Sequence, residues 1–115
     1  MKILVTGGRD YDRLETVARV LGALKVTAIA HGGARGADSL AGKWATQAQI
    51  PVHEYHAEWD LYDKAAGPIR NQAMLEEFEP DLVVAFEGNR GTHDMIKRAV
   101  AAHVPVLQVL EGDSE

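Results

Sequence analysis

Glycine-rich turns, each following an apolar segment typical of a buried strand, are the clearest chemical feature of this sequence. The three segments end in Gly7-Gly8, in Gly32-Gly33 and in Gly88. Glycine accepts positive φ and lets a ligand approach the backbone closely. Ordinary strand-to-helix turns favour glycine too, but three such turns at one sheet edge favour ligand binding.

Arginines lie in or beside these turns. Arginine pairs bidentately with phosphate or carboxylate, so the pattern indicates an anionic ligand. Arg70 differs from an ordinary solvated arginine because it lies four residues before Met74 and begins the apolar stripe of its helix. The four arginines predicted at this edge are Arg9, Arg35, Arg70 and Arg90.

Acidic residues accompany the arginines at Asp10, Asp38, Glu87 and Asp94. Asp38 and Asp94 either belong to the site or only favour the N-termini of their helices. Glu87 directly follows a buried strand, where it can bind ribose hydroxyls or, if it is buried, act as an acid or base. Trp59 and Tyr62 either stack on a base or pack against the third helix.

Strands and helices that position these residues alternate along the chain. Apolar strands are predicted at 2–6, 26–30, 52–56, 81–86 and 105–109. This alternation predicts an α/β fold with a doubly wound parallel sheet, and right-handed crossovers favour the order 3-2-1-4-5. Turns 7–10 and 88–91 then face each other at the carboxyl edge, where such sheets bind ligands and helix N-termini attract anions.

Capping and proline signals locate the helices. A capping box from Asp12 to Glu15 predicts the start of the first helix. The second is expected over 37–48, the third has Pro68 at its first position, and the fourth covers 92–103. Segment 58–66 is expected to be a loop or a short helical turn.

Composition limits the remaining possibilities. The 115 residues suit one domain over 1–110, with an acidic frayed tail over 111–115. The absence of cysteine excludes disulfides and thiolate metal sites and favours a reducing compartment, hence the cytoplasm. No metal or cofactor is expected, since the histidines lack ligand spacing, and no segment is long and apolar enough to span a membrane. A net charge of −5 without a basic run argues against a nucleic-acid partner.

Three segments in order resemble the SLOG superfamily, namely 31–38, 66–71 and 86–95. Within it, the sequence is most similar to a small YspA-like family of bacteria and phages whose function is unknown. The resemblance implies a Rossmann-like fold that binds nucleotides or nucleotide-derived signals, often as a homodimer.

Better-known relatives are the LONELY GUY-type phosphoribohydrolases, which cleave the N-glycosidic bond of nucleoside monophosphates. The resemblance aligns Arg70 with their motif arginine and Asn71 with the lysine. Glu87, Gly88 and Asn89 fall on their Pro-Gly-Gly, while Gly91 and Thr92 match. Their catalytic glutamate falls on Met95, with Asp94 one residue earlier. The catalytic candidates are therefore Arg70, Glu87 and Asp94.

Three functions remain open. The first is binding or sensing of a nucleotide, including ADP-ribose-type or NAD-type ligands, and the second is nucleoside-monophosphate hydrolysis. The third is single-stranded nucleic-acid binding, as in the related DNA-processing protein A. Ligand or phosphate contacts are predicted for Gly7, Gly8, Arg9, Gly32, Gly33, Arg35, Gly36, Asp38, Arg70, Asn71, Gly88, Asn89, Arg90, Gly91 and Thr92.

Overall fold

A five-stranded parallel sheet forms the centre of the fold in this computed structural model, which describes residues 1–110. The strands are β1 Lys2–Thr6, β2 Ala28–His31, β3 Val52–Glu54, β4 Leu82–Phe86 and β5 Val106–Val109. Their order is β3-β2-β1-β4-β5, and every neighbouring pair is parallel. The predicted α/β class, strand order and switch point between β1 and β4 are confirmed.

Helices cover both faces of this sheet. They are α1 Leu14–Gly22, α2 Ala37–Gln47, α3 Trp59–Tyr62, α4 Ala66–Phe78 and α5 Arg90–Ala101, with a 3-10 turn at Asp63–Ala65. The longest, α4, has 13 residues, and none in the described part of the chain combines the length and apolarity of a bilayer span.

Alternation along β1 shows how the sheet divides the core. Ile3 and Val5 pack with α1 and α2 on one face, whereas Leu4 packs with α4 and α5 on the other. Successive side chains of a strand point to opposite faces, so an apolar strand of this kind is stable only when both faces are covered. The doubly wound arrangement therefore follows from the continuous apolar runs of β1 and β4.

The predicted capping box at the start of α1 is wrong. The residue at the N-cap is Arg13, and no side chain caps this helix. The Leu14 N–H donates to the Asp12 carbonyl, so the chain turns at Asp12 before the helix begins. Leu14, the first residue of this helix, is exposed.

Other boundaries differ in ways that matter at the sheet edge. Helix α4 begins at Ala66, so Pro68 occupies its third position, where the missing N–H is still tolerated. Helix α5 begins at Arg90, two residues before the predicted start at 92. The last two residues of the predicted turn 88–91 are therefore helical. Strand β2 begins at Ala28, and segment 59–65 is helical. The predicted acidic tail, 111–115, lies outside the described residues.

Gly36 shows why one of the edge glycines must be glycine. Its φ of 80° lies in the left-handed region. A Cβ atom there would also overlap the carbonyl oxygens of Gly8 and Arg9. The β2–α2 loop thus packs directly on the backbone of the β1 loop.

We expect Gly36→Ala to lower the free energy of unfolding by about 2–4 kcal/mol, from backbone strain and overpacking. Gly22→Ala is the matched control, because nothing lies within 4 Å of a Cβ at that helical glycine. It should raise stability by about 0.5–1 kcal/mol. Urea unfolding of both variants measures the difference, and equal midpoints would contradict the packing of the two loops.

Candidate functional site

The turns after β1 and β4 are in direct contact at the switch point. The Gly8 N–H donates to the Glu87 carbonyl at 2.9 Å. A Cβ atom at Gly8 would lie 3.1 Å from the Gly88 Cα. The two turns lie side by side as the strand order requires, but backbone fills the space between their glycines.

The loop after β2 already binds an anion, and that anion is the Asp38 carboxylate. Asp38 Oδ2 accepts the Gly32 N–H at 3.0 Å and the Ala34 N–H at 3.3 Å. The intervening Gly33 N–H donates to His31 Nδ1 at 2.9 Å. Since the Asp38 side chain is only 7% exposed, an external phosphate would have to displace it to reach these N–H groups.

Burial raises the pKa of Asp38 to about 6, from an ordinary value of 3.8. The Ala34 N–H, the nearby Arg70 charge and the Gly32 N–H all oppose the rise by stabilising the carboxylate. Desolvation is the larger effect because the carboxyl group is almost entirely enclosed. The charged form of Asp38 is therefore held in place at a cost to folding.

Arg70 is tied to backbone carbonyls beside this carboxylate. Its Nη1 donates to the Gly32 carbonyl at 2.8 Å and to the Tyr55 carbonyl at 3.2 Å, and its Nε donates to Asn71 Oδ1 at 3.0 Å. Burial lowers the pKa of Arg70, while the charges of Asp38 and Asp94 oppose that shift. The guanidinium thus joins the ends of β2 and β3 to α4.

Asn71 extends these contacts to α5. Its Nδ2 donates to Asp94 Oδ2 at 2.9 Å and lies 3.4 Å from the Gly91 carbonyl. Burial would raise the pKa of Asp94, but hydrogen bonds from Arg98 and Asn71 outweigh it and lower that pKa. Asp94 is consequently a fixed carboxylate, suited to stabilising positive charge and unsuited to donating a proton.

The first turn of α5 is less occupied than the β2–α2 loop. Its N-cap, Asn89, makes no side-chain capping bond, and the turn contains no acid. The first N–H groups of a helix have no intrahelical acceptor and attract anions. Nothing lies within 4 Å of a Cβ position at Gly91, so its surroundings are open.

Thr92 adds a buried hydroxyl to this turn. The residue is 4% exposed, and its Oγ1 has no hydrogen-bond partner among residues 1–110. A Cβ atom at Gly88 would overlap this hydroxyl, which therefore lies directly beneath the Gly88 backbone. An unpartnered buried hydroxyl costs about 1–3 kcal/mol, so a hydrogen-bond acceptor beside Thr92 would stabilise this turn.

The remaining predicted residues lie on the loops after β1, β2 and β4 and at the start of α5. Arg9, Glu87 and Arg90 are exposed, so Glu87 lacks the burial that an acid–base role was expected to require. Arg35 Nη2 pairs with Asp10 Oδ1 at 3.2 Å, in full contact with solvent. The structure thus brings the predicted residues to one edge but distributes them between an internally occupied loop and an open helix terminus.

A histidine–glutamate cluster beside the β2 loop was only partly anticipated. Glu54 Oε1 lies 3.0 Å from His56 Nε2, and Glu54 Oε2 lies 3.8 Å from His31 Nε2. Burial lowers the pKa of His31, although Glu54 opposes the shift. Glu54 carried no signal in the sequence, because the predicted strand over 52–56 put this residue in the strand interior, whereas β3 ends at Glu54. Within residues 1–110, no three His, Asp or Glu side chains converge as a metal site would require.

Comparisons with known proteins agree with this architecture. A family model described as "YspA, cpYpsA-related SLOG family" matches residues 1–62. The gene 61 protein of Mycobacterium phage D29 is 30% identical over 118 residues, covering 92% of this chain and 94% of that protein. The superfamily resemblance carried by the three sequence motifs is confirmed.

A solved structure of DNA processing protein A from Helicobacter pylori has the same fold. It aligns with a TM-score of 0.67 at 17% identity, covering 100% of this chain and 67% of that chain. That structure was described for its single-stranded DNA binding mode. At this identity the likeness establishes the fold alone.

The Asp38 pKa generates a pH-dependent prediction. Because the folded pKa of about 6 lies above 3.8, the folded state holds this proton more tightly than the unfolded chain does. The contribution of Asp38 to stability is therefore greatest below about pH 4 and is lost as pH rises through about 6. A pKa difference of this size corresponds to about 3 kcal/mol.

We expect Asp38→Asn to remove this dependence. Urea unfolding at pH 4 and pH 7 should show the variant gaining about 2 kcal/mol relative to the wild type over that interval, because part of the total is already lost at pH 4. The variant also loses the carboxylate contacts, but this loss is taken to be equal at both pH values and so cancels when the two stability differences are compared. A stability difference between the two proteins that is the same at both pH values would contradict the assigned pKa.

Proposed function

Since the chain belongs to the YspA, cpYpsA-related SLOG family, we propose that it binds a phosphate-bearing nucleotide or nucleotide-derived ligand. The phosphate lies on the first turn of α5, formed by Arg90, Gly91 and Thr92. ADP-ribose-type and NAD-type molecules belong to the same ligand class. The superfamily resemblance supports the ligand class, and the geometry of the sheet edge supports the position.

The buried Thr92 hydroxyl carries this proposal. A phosphate oxygen accepts hydrogen bonds from hydroxyl and N–H groups, both of which this turn presents. Gly88 covers the hydroxyl, but Gly88 and Asn89 are themselves exposed. A ligand can therefore reach the hydroxyl only if Gly88 and Asn89 move. The hydrogen bond from Thr92 to the phosphate offsets part of the free energy that this movement requires.

The β2–α2 loop is the weaker of the two predicted phosphate sites. Its N–H groups at Gly32 and Ala34 donate to Asp38, which is an internal substitute for a ligand anion. Arg70 supports that loop by binding the Gly32 carbonyl. In this proposal Arg70 and Asn71 position α5, and exposed Arg9 and Arg90 supply positive charge to the ligand.

Hydrolysis of nucleoside monophosphates has less support. Position 95, which aligns with the catalytic glutamate of the phosphoribohydrolases, is a fully buried methionine in the core. Asp94 is held by Asn71 and Arg98 on the side facing α4. An oxocarbenium-like transition state needs a carboxylate at the sugar, so release of free base from AMP would reinstate this function.

Thr92→Val tests the phosphate site. We expect affinity for AMP and for ribose 5-phosphate to fall about tenfold, in line with one lost hydrogen bond to a charged group. The unliganded protein should be about 1–3 kcal/mol more stable, because a buried hydroxyl without a partner is removed. Isothermal titration calorimetry and urea unfolding measure the two quantities.

Thr46→Val is the matched control, because Thr46 is an exposed threonine in the last turn of α2, at the end of that helix away from the carboxyl edge of the sheet. It should leave both affinities unchanged. Equal affinities in the wild type and Thr92→Val would place the phosphate elsewhere. A large loss of stability in Thr92→Val would show that the hydroxyl has a structural partner.

Single-stranded DNA is the second candidate ligand. The shared fold with DNA processing protein A favours it, and so do the exposed arginines Arg9 and Arg90. Binding to a strand predicts an affinity that falls steeply with salt, because phosphate contacts release counterions. Titrating a short oligonucleotide at two salt concentrations separates this from mononucleotide binding, whose salt dependence is weaker.

A further inference from the structure

Trp59 is an exposed aromatic residue on the short helix that precedes α4. The side chain lies on α3, the four-residue helix that leads through the 3-10 turn into α4. Trp59 is 59% exposed and Tyr62 on the same helix is 44% exposed. Large aromatic side chains contribute most when buried, so this exposure leaves an unused stacking face.

The geometry of α4 relates Trp59 to the first turn of α5. Trp59 Cη2 lies 3.6 Å from the position that a Cβ atom would take at Gly67. Gly67 and Asn71 are four residues apart and so lie on the same face of α4, about 6 Å apart along its axis. Asn71 Nδ2 lies 3.4 Å from the Gly91 carbonyl. Trp59 therefore contacts α4 about one helical turn before Asn71, the residue that contacts the first turn of α5.

This separation suits a nucleotide. Both helices run back against the strands, and Asn71, in the second turn of α4, contacts Gly91, in the first turn of α5. The start of α4 therefore extends beyond the start of α5 at the carboxyl edge. A phosphate on Arg90 and Gly91 would leave the ribose beside the first turn of α4 and the base at the level of Trp59. Stacking on an aromatic ring tolerates any base, because every base has a π-face.

We infer that Trp59 is the base-stacking residue of the site, so that the ligand carries a nucleobase as well as a phosphate. This inference rests on the proposed phosphate site. It adds a second recognition element, located on α3, which neither the glycine turns nor the arginines supply. The nucleobase belongs either to a free nucleotide or to a single strand.

The test separates the base from the phosphate by comparing AMP with ribose 5-phosphate. Wild type should bind AMP about tenfold more tightly than ribose 5-phosphate, within the range measured for one stacked base. Trp59→Leu should lose that preference and keep its affinity for ribose 5-phosphate. Trp59→Phe should restore part of the preference. Because Trp59 is exposed, these variants are expected to fold, and thermal melting checks this.

Fluorescence gives a second readout. The chain has two tryptophans, and the other, Trp44, is partly buried against the core. In a Trp44→Phe background the emission comes from Trp59 alone. AMP should quench it at the concentration that half-saturates binding by calorimetry, and ribose 5-phosphate should not.

Each outcome decides between the proposals. Equal affinities for AMP and ribose 5-phosphate in the wild type, or no change in Trp59→Leu, would overturn the inference and leave the phosphate site standing. Loss of a dimer in Trp59→Leu with unchanged ligand affinities would assign Trp59 to an interface and overturn it as well. Binding of neither compound would overturn both proposals.

A short oligodeoxyadenylate identifies the source of the base. Tighter binding than AMP, with quenching of Trp59 and steep salt dependence, would assign the base to a single strand. Binding no tighter than AMP would assign it to a free nucleotide. Both results support stacking on Trp59, whereas strand binding that leaves Trp59 emission unchanged would overturn it.

Discussion

The carboxylate of Asp38, buried against two backbone N–H groups, is the interaction on which this sheet edge depends. It fixes the loop after β2 in the conformation that presents the Gly32 carbonyl to Arg70. Arg70 then reaches Asn71, and Asn71 holds the first turns of α5. A continuous series of polar contacts therefore runs from the end of β2, across α4, to the start of α5.

This series explains how two similar glycine turns differ in the groups that satisfy them. A buried carboxylate satisfies one turn, and satisfying it internally costs the protein part of its stability above about pH 6. The other turn, at the start of α5, has neither an acid nor a capping side chain and carries a buried unpartnered hydroxyl. Both turns offer backbone N–H groups, and in the proposed function the turn that the protein does not fill with its own carboxylate is the one that binds the ligand.

The strand order was predictable from the sequence because apolar runs of fixed length alternate with helical stripes, and only a parallel sheet covered on both faces buries them. The glycine turns were predictable because each of them follows one of these apolar runs. The role of Asp38 was not, because a helix N-terminal acid and a loop-filling carboxylate have the same sequence pattern. The carbonyl partners of Arg70 lie 38 and 15 residues away, so only the tertiary fold reveals them. The start of α1 was missed because Asp12 accepts a local turn bond instead of capping.

Amide chemical shifts test the central claim most directly. In a ¹⁵N-labelled protein titrated with ribose 5-phosphate at pH 7, we expect the amide resonances of Arg90, Gly91 and Thr92 to shift, since these residues form the proposed phosphate site. The amide chemical shifts of Gly32 and Ala34, whose N–H groups donate to the Asp38 carboxylate, should not change. Shifts confined to Gly32 and Ala34, with no change at the start of α5, would contradict the assignment of the phosphate site.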